Sequence, residues 1–331
     1  FSDMVGTVTL GTLDLSSGTV TGTTGVLSAT SWAVYQGTIS AQISGVAATL
    51  VKSTPGTVTL TRANAFTGAV TVSAGILNIQ DSLSLGWTDG ITSISAGATL
   101  EIDGDGLSIS EYISPTGTGH LYTGAIRNKN GDNTLTGLIT LGATPMIMAD
   151  SGTSLTIDSK GVAATTQALT VGGLGNVILT STAPMYGTTA SLIKNDEGTL
   201  TIQSFSNFTG TTVVNRGTLA LSDAGAIPNS AVTVNNGGTY TVDNTAGVAL
   251  NRMSETAALT MNGGNFNYIG NGTVSTLEST GALTLASGHS VVTVTPGAGG
   301  STTMTFASLS RTAGASVLFR GTNLGATPGS N

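Results

Sequence analysis

Apolar and polar residues alternate with a period of two along most of the chain. Thr57–Leu60 (TVTL), Val70–Val72 (VTV) and Thr199–Ile202 (TLTI) are typical. Successive side chains of a β-strand point to opposite faces, so this pattern predicts many short strands with one buried face. Thr, Val and Ile also pack well on a pleated surface and lose rotamer freedom in a helix. We therefore predict an all-β fold with little or no helix.

An internal repeat is the strongest signal in the sequence. Residues 50–79 realign without gaps on residues 192–221, with the lysines, glycines and phenylalanines in step. The matching positions are Lys52 and Lys194, Gly56 and Gly198, Phe66 and Phe208, Gly68 and Gly210, and Gly75 and Gly217. We interpret them as the structural positions of a repeat.

A shorter signature, glycine followed by an alternating strand, recurs at Gly97, Gly152, Gly238, Gly288 and Gly314. The spacings indicate coils of about 20–26 residues, and a unit this short cannot bury its apolar face unless successive coils stack. The sequence therefore predicts a parallel β-solenoid of roughly 15 coils, with strands stacked about 4.8 Å apart. We expect residues 1–331 to form a single continuous solenoid segment.

Composition supports a packed and charge-poor protein. Charged residues make up 8% of the chain, against roughly 25% in ordinary globular domains. A mean hydropathy of +0.27 with a net charge of −7 excludes the high-charge, low-hydropathy pattern of intrinsic disorder. The ten Lys and Arg are scattered and the pI is about 4.6, so a nucleic acid partner is not expected.

The chain contains no cysteine, which rules out disulfides and thiolate chemistry and is compatible with export as an unfolded chain. No apolar run reaches the roughly 18 residues of a membrane-spanning helix, so no transmembrane span is expected. The first residues already alternate and lack the basic and apolar regions of a signal peptide. We interpret the chain as a segment of a larger secreted protein.

Residues 50–79 resemble the autotransporter-associated β-strand repeat. The resemblance is carried by 50–52 (LVK), 56–60 (GTVTL), 64–68 (NAFTG) and 70–75 (VTVSAG). Residues 192–221 are similar, with a departure at the corner. Phe66, Leu135 and Phe208 stand where the family has tyrosine, and Asn207 lies one place later than Asn64.

This resemblance implies a right-handed parallel β-helix and export to the outside of a bacterium with an outer membrane. It also implies a stalk, an adhesin or a surface scaffold, and it carries no catalytic residues over to this chain.

An acidic cluster is the best candidate for metal binding. Glu101, Asp103 and Asp105 alternate around a glycine, and carboxylate oxygens are ligands that Ca²⁺ prefers. The other ligands of a twelve-residue Ca²⁺ loop are missing, so a solvated corner is the simpler interpretation. Apart from this weak Ca²⁺ candidate, no cofactor is expected.

Candidate catalytic residues are sparse. Asp196 and Glu197 adjoin Lys194, and Asp223 follows a strand, but all of them belong to turns of the repeat. The histidines, His120 and His289, each follow glycine and have no nearby partner typical of catalysis. We therefore expect no enzymatic activity, and a polysaccharide-degrading β-helix is only a remote alternative.

Aromatic residues outside the repeat, namely Trp32, Tyr35, Tyr122 and Tyr186, could instead form a sugar-stacking groove, whereas Phe66 and Phe208 are expected in the core. The first functional hypothesis is an extracellular structural protein, a rigid stalk or scaffold that displays something at a distance from the cell or assembles into fibres. In the second case, unpaired strand edges at the ends of the solenoid would allow self-association. The alternative is an adhesin for glycans or other cells, which predicts that Trp32 or the tyrosines are exposed.

Overall fold

A computed structural model describes residues 6–22, 24–88 and 90–322. It confirms the predicted all-β parallel solenoid, with about 14 turns in total. The helical structure within the described residues is one turn of 3₁₀ helix, His120–Tyr122. None of the helical structure in that part of the chain is long and apolar enough to cross a membrane. The chain divides into two compact units, residues 1–163 (unit 1) and 164–331 (unit 2).

The strands of unit 1 are β1 (Thr7–Leu15), β2 (Thr19–Val20), β3 (Val26–Val34), β4 (Gly37–Ile39), β5 (Gln42–Gly45), β6 (Thr49–Lys52), β7 (Thr57–Leu60), β8 (Ala65–Phe66), β9 (Val70–Val72), β10 (Gly75–Ile79), β11 (Ile91–Ile94), β12 (Ala98–Asp103), β13 (Ser108–Ile109), β14 (Tyr112–Pro115), β15 (Ile126–Asn130), β16 (Asp132–Leu135), β17 (Ile139–Thr140), β18 (Met146–Ala149), β19 (Ser154–Ile157) and β20 (Val162–Thr165), which reaches the boundary between the units.

The strands of unit 2 are β21 (Ala168–Gly173), β22 (Asn176–Leu179), β23 (Met185–Gly187), β24 (Ser191–Lys194), β25 (Thr199–Ile202), β26 (Thr212–Val214), β27 (Gly217–Leu221), β28 (Val232–Asn235), β29 (Gly238–Asp243), β30 (Leu259–Asn262), β31 (Asn265–Ile269), β32 (Thr276–Thr280), β33 (Leu283–Ser287), β34 (His289–Thr295), β35 (Thr302–Phe306), β36 (Leu309–Arg311) and β37 (Ser316–Gly321).

Parallel ladders join strands of successive coils. In unit 1, sheet A has the order β17-β14-β11-β9-β6-β3, and β3 also pairs with β1 and with β5. Sheet B of unit 1 has the order β2-β4-β7-β10-β12-β15-β18, and sheet C has the order β13-β16-β19. In unit 2, sheet B has the order β21-β24-β26-β28-β30-β33-β36 and sheet C has the order β22-β25-β27-β29-β31-β34-β37, while β32 pairs with β35.

In-register stacking builds the core. In unit 1, Leu77, Leu100, Ile126 and Ile147 are successive register partners, and all four are fully buried. Each such side chain contributes about 1.5–3 kcal/mol on burial. The sequence alternates because successive side chains of each strand point to opposite faces. In-register pairing then places the inward residues of one coil beside those of the next.

An asparagine ladder runs along sheet B of unit 2. Asn215 donates from Nδ2 to Oδ1 of Asn195 at 2.8 Å, and Asn235 donates to Asn215 at 2.7 Å. Asn262 then donates to Asn235 at 2.8 Å. Each step of the ladder joins one coil to the next.

Candidate binding surface

Two buried lysines clamp the turns of the repeat. Lys52 is the last residue of β6, and its Nζ donates to the carbonyl oxygen of Thr54 and, at 3.0 Å, to that of Ala74 in the next coil. Its side chain is completely buried. Burial lowers the pKa of Lys52 to about 8. This lysine clamp fastens one turn to the turn stacked on it.

Lys194 forms the equivalent clamp at the end of β24. Its Nζ donates to the carbonyl oxygens of Asn195, of Asp196 at 2.8 Å and of Arg216 in the next coil at 3.4 Å. Burial lowers the pKa of Lys194 to about 8, and the carboxylates of Asp196 and Glu197 oppose the shift. The two repeats therefore share the same lysine clamp as well as the same sequence pattern.

The repeat glycines make room for these turns. Gly75 and Gly217 adopt φ of +69° and +63°, in the left-handed region that glycine tolerates best. A Cβ on Gly75 would lie 2.3 Å from the carbonyl oxygen of Thr54, and one on Gly217 would lie 2.4 Å from that of Asp196. These are carbonyl oxygens that the clamps bind, so lysine and glycine act on the same turn.

The remaining repeat glycines also lie against neighbouring coils. A Cβ on Gly68 or Gly210 would lie within 2.3 Å of a carbonyl oxygen, and one on Gly198 would lie 2.0 Å from that of Gly175. At Gly56 the nearest group is the flexible side chain of Gln36, at 2.9 Å. Three of these four positions therefore leave no space for a side chain.

The corner of the repeat is buried. Phe66 and Phe208 are fully enclosed. Asn64 accepts a hydrogen bond from the backbone N–H of Ile43, and in the second repeat the hydroxyl of Ser206 does the same for Met185. Ser206 therefore takes the place of Asn64, whereas its neighbour Asn207 is exposed.

Glu101 and Asp103 lie in a charged network on the outward face of sheet B in unit 1. Glu101 contacts Arg127 at 2.9 Å and Lys129 at 3.2 Å, and its side chain is only 5% exposed. Lys129 also contacts Asp103 at 3.0 Å, and Arg127 contacts Asp150 at 2.6 Å. Hydrogen bonds to Asp150 raise the pKa of Arg127. The carboxylates of Glu101 and Asp103 are thus already paired with cationic side chains of the protein.

Asp105, the third residue of the Ca²⁺ candidate, lies apart from this network. Its Oδ1 accepts a hydrogen bond from the backbone N–H of Asp132 at 3.0 Å. Within residues 6–22, 24–88 and 90–322, no group of three or more His, Asp or Glu side chains could hold a metal ion. The structure therefore brings Glu101 and Asp103 together, without Asp105.

The candidate catalytic residues do not converge on one site, although Asp196 and Glu197 are neighbours in the same turn. Asp196 accepts from the backbone N–H of Gly173, and Glu197 pairs with Arg216 at 3.0 Å on the surface. The remaining candidates have their own settings: Asp223 accepts from the hydroxyl of Ser222, His120 lies in the 3₁₀ turn, and His289 lies 2.5 Å from the hydroxyl of Ser316.

Trp32, one of the aromatic residues considered for a sugar-stacking groove, is buried. Trp32 is 1% exposed and lies on the inward face of β3, on the same face as the buried Val34. A buried indole cannot stack on a sugar from solvent. Of the other predicted aromatics, Tyr35 is half-buried, whereas Tyr122 is 79% exposed and Tyr186 is 38% exposed.

An aromatic patch on unit 1 was missed by the sequence analysis. We define it as Trp87, Ile91 and Tyr112, which are 59%, 50% and 41% exposed. Ile91 and Tyr112 are register partners on the outward face of sheet A, and Trp87 lies four residues before Ile91. The signal was available, because Ile91 and Tyr112 stand at polar positions of the period-two pattern.

A second exposed group is the apolar ridge of unit 2, which we define as Phe205, Leu250 and Leu277. These side chains are 58%, 70% and 56% exposed. Phe205 forms a β-bridge with Ala226 of the next coil. Leu250 lies two residues before Arg252, and Leu277 lies next to Glu278. The backbone N–H of Arg252 donates to the carboxylate of Glu278. Exposed apolar groups of this kind are typical of interaction surfaces.

Arg252 anchors the segment that carries Leu250. Its guanidinium is fully buried and donates to the carbonyl oxygen of Gly225 at 2.8 Å and to that of Asp243 at 2.6 Å. The carboxylate of Glu278 accepts from the backbone N–H groups of Arg252 and Met253. Burial raises the pKa of Glu278. The loop between β29 and β30 is thereby held to coils on both sides.

Comparison with known proteins identifies the repeat. The passenger-associated-transport-repeat family matches residues 50–79 and 192–221, the two segments that align with each other. The resemblance to the autotransporter-associated repeat is thus confirmed.

The chain is also similar to the adhesin BmaC autotransporter of Brucella suis biovar 1 (strain 1330), with 28% identity over 229 residues. The similarity covers 66% of this chain and 5% of that relative, so the chain spans a small part of its length. No solved structure matches the chain.

Proposed function

We propose that this chain is an adhesive segment of an autotransporter passenger. It holds the aromatic patch of unit 1 and the apolar ridge of unit 2 on rigid coils, facing another cell or its matrix. The observation that carries the proposal is that six large apolar side chains, three in each unit and between 41% and 70% exposed, are held by a scaffold of stacked coils. The similarity to a protein named as an adhesin supports it.

The exposed side chains have the chemistry of weak, additive contact. Full burial of one large apolar side chain contributes about 1.5–3 kcal/mol, so three of them against a partner give modest affinity after the costs of association. Several such surfaces on one passenger would raise the effective affinity through multivalency. An adhesin built from many weak surfaces is therefore physically reasonable.

The solenoid supplies the rigid support that adhesion needs. Parallel main-chain ladders join successive coils, and the two lysine clamps and the asparagine ladder add side-chain hydrogen bonds between some of them. The solenoid would thus still act as the scaffold of the first functional hypothesis, and that scaffold would carry the binding surfaces. The passenger repeats support secretion to the surface of a Gram-negative bacterium.

Binding to cultured epithelial cells and to immobilised extracellular matrix tests the proposal. We expect the purified chain to bind, and the combined variants W87A/Y112S and F205S/L250S/L277S each to lose several-fold in bound protein. The matched control is Leu174→Ser, because Leu174 is 60% exposed and lies outside both surfaces. Unchanged circular dichroism would show that the variants fold. Undiminished binding by both combined variants would refute the proposal.

A further inference from the structure

Glu111 places a carboxyl group in the core of unit 1. It lies two residues before Ile113 and on the same inward face, and it is 4% exposed. The register of β11, β14 and β17 puts it between Gly90 in the preceding coil and Gly137 in the next. A Cβ on Gly137 would lie 1.9 Å from the carbonyl oxygen of Glu111, so this corner is closely packed.

Within the part of the chain that the structure describes, the carboxyl group has a single hydrogen-bond partner. Its Oε1 lies 3.2 Å from the hydroxyl of Thr92, which is itself fully buried. Its Oε2 is buried and has no hydrogen-bond partner among the described residues. The contrast with Glu101 is clear, because two cations bind the carboxylate of Glu101 while no ion pair forms at Glu111 within the described residues.

Ionisable groups are scarce around this corner. β11 and β9 contribute none, β14 contributes the outward Tyr112, and the turn at Gly137 contributes none. The register places the exposed Lys160 two coils away, and Asp158 lies two residues before Lys160 in sequence. Asp89, next to Gly90 in sequence, lies outside the described residues.

Burial without a cation favours the neutral form of a carboxylic acid. Transfer of a lone carboxylate into an apolar interior is far more costly than transfer of the acid. Burial accordingly raises the pKa of Glu111 to about 7, and the hydrogen bond from Thr92 opposes the shift.

We propose that Glu111 is a proton-dependent latch in the core of unit 1, closed when the carboxyl is protonated and loosened when it ionises. The proton is held more tightly in the folded unit than in the unfolded chain. Stability from this group is therefore fully present below the unfolded pKa of about 4.3 and is lost as the pH rises through 7. Glu111 therefore contributes most to the stability of unit 1 in acidic solution.

Hydrogen exchange of the full chain between about pH 5 and pH 8, corrected for its intrinsic pH dependence, tests the latch. We expect protection of peptides covering 90–94, 111–115 and 137–140 to fall several-fold across this range. Glu111→Gln keeps the shape without the ionisation, so its protection should stay level. Thr92→Val removes the opposing hydrogen bond and should move the loss of protection to higher pH.

Three controls separate Glu111 from other carboxyl groups: Glu197→Gln on the surface, Glu278→Gln in unit 2 and Asp89→Asn beside Gly90. Each should leave the profile of the unit 1 peptides unchanged. A pH dependence that persists in Glu111→Gln, or that disappears in Asp89→Asn, would overturn the proposal. If Glu111→Gln does not fold, an unshifted profile in Thr92→Val would overturn it.

Discussion

Lys52 and Lys194 occupy inward positions where the period of two would ordinarily place an aliphatic residue. Each ends a strand, and the ammonium group reaches the carbonyl oxygens of the turn that follows. Buried carbonyl groups without a donor cost about 1–3 kcal/mol each, so a donor at this point stabilises both the turn and its neighbour. The lysine of the repeat is therefore a structural residue.

Replacing both clamps tests this interpretation. We expect K52M/K194M to be less stable than the wild type at neutral pH by about 1–3 kcal/mol per site, because carbonyl groups lose their donor. The pKa of each of these lysines is about 8 in the folded protein, and the ordinary value for lysine is 10.5. The unfolded chain holds more protons between these values, so wild-type stability should rise with pH there, and that of the variant should lack this rise.

Urea unfolding across this pH window gives the measurement, and Lys160→Met is the control because Lys160 is exposed. Equal stability of K52M/K194M and the wild type at neutral pH would show that the clamps contribute nothing.

Residue-level predictions succeeded where the repeat constrained them. Phe66 and Phe208 were expected inside and are buried. The placement of Trp32 was left open, although it shares its strand parity with the buried Val34. Glu111 gave no sequence signal, since its burial depends on the glycines of the coils on either side. For Glu101, Asp103 and Asp105, a solvated corner was preferred over a weak calcium candidate, and both interpretations stay predictions.

Among the elements, the asparagine ladder shows how polar side chains reinforce a parallel sheet. Its members sit at or just after the ends of sheet B strands, at Asn195, Asn215, Asn235 and Asn262. Amide groups in register can both donate and accept, so each interior member makes two ladder bonds. The sequence contains these asparagines, but the coils between them differ in length. Their spacing is therefore irregular and does not by itself predict a ladder.

The ladder predicts that an interior member matters more than a terminal one. We expect Asn215→Ala to destabilise unit 2 by about 1–3 kcal/mol, because two hydrogen bonds of about 0.5–1.5 kcal/mol are lost. Asn262→Ala removes one ladder bond and should cost about half as much. Thermal unfolding measures both, with the exposed Asn176→Ala as control. A larger loss for Asn262→Ala than for Asn215→Ala would contradict the ladder.

For the whole molecule, the sequence predicted the fold class, the parallel stacking and the size of the coils. The estimate of roughly 15 coils compares with about 14 turns. Right-handedness and a single continuous segment stay predictions. The apolar ridge could not be located beforehand, because the exposure of Phe205 and Leu250 depends on which coil stacks beside them and on the buried anchor Arg252.

Stacking by whole coils predicts tolerance to removal of one coil. Thr199 and Thr218 are register partners, so excision of residues 199–217 joins equivalent positions and leaves the flanking ladders able to pair. We expect this variant to keep β-sheet circular dichroism and a cooperative thermal transition. Excision of residues 199–208 removes part of a coil, shifts the register and should abolish the transition. Similar behaviour of the two variants would argue against independent coils.

The parallel ladders have a consequence for how the chain acquires its structure. In the sheets of each unit, a residue finds its main-chain partner about one coil away in sequence, as Leu77 does with Leu100. A stretch of two coils thus already contains the contacts that define it, and each further coil needs only the one before it as a template. Such a chain can fold progressively as it emerges from a narrow exit, without waiting for its distant end.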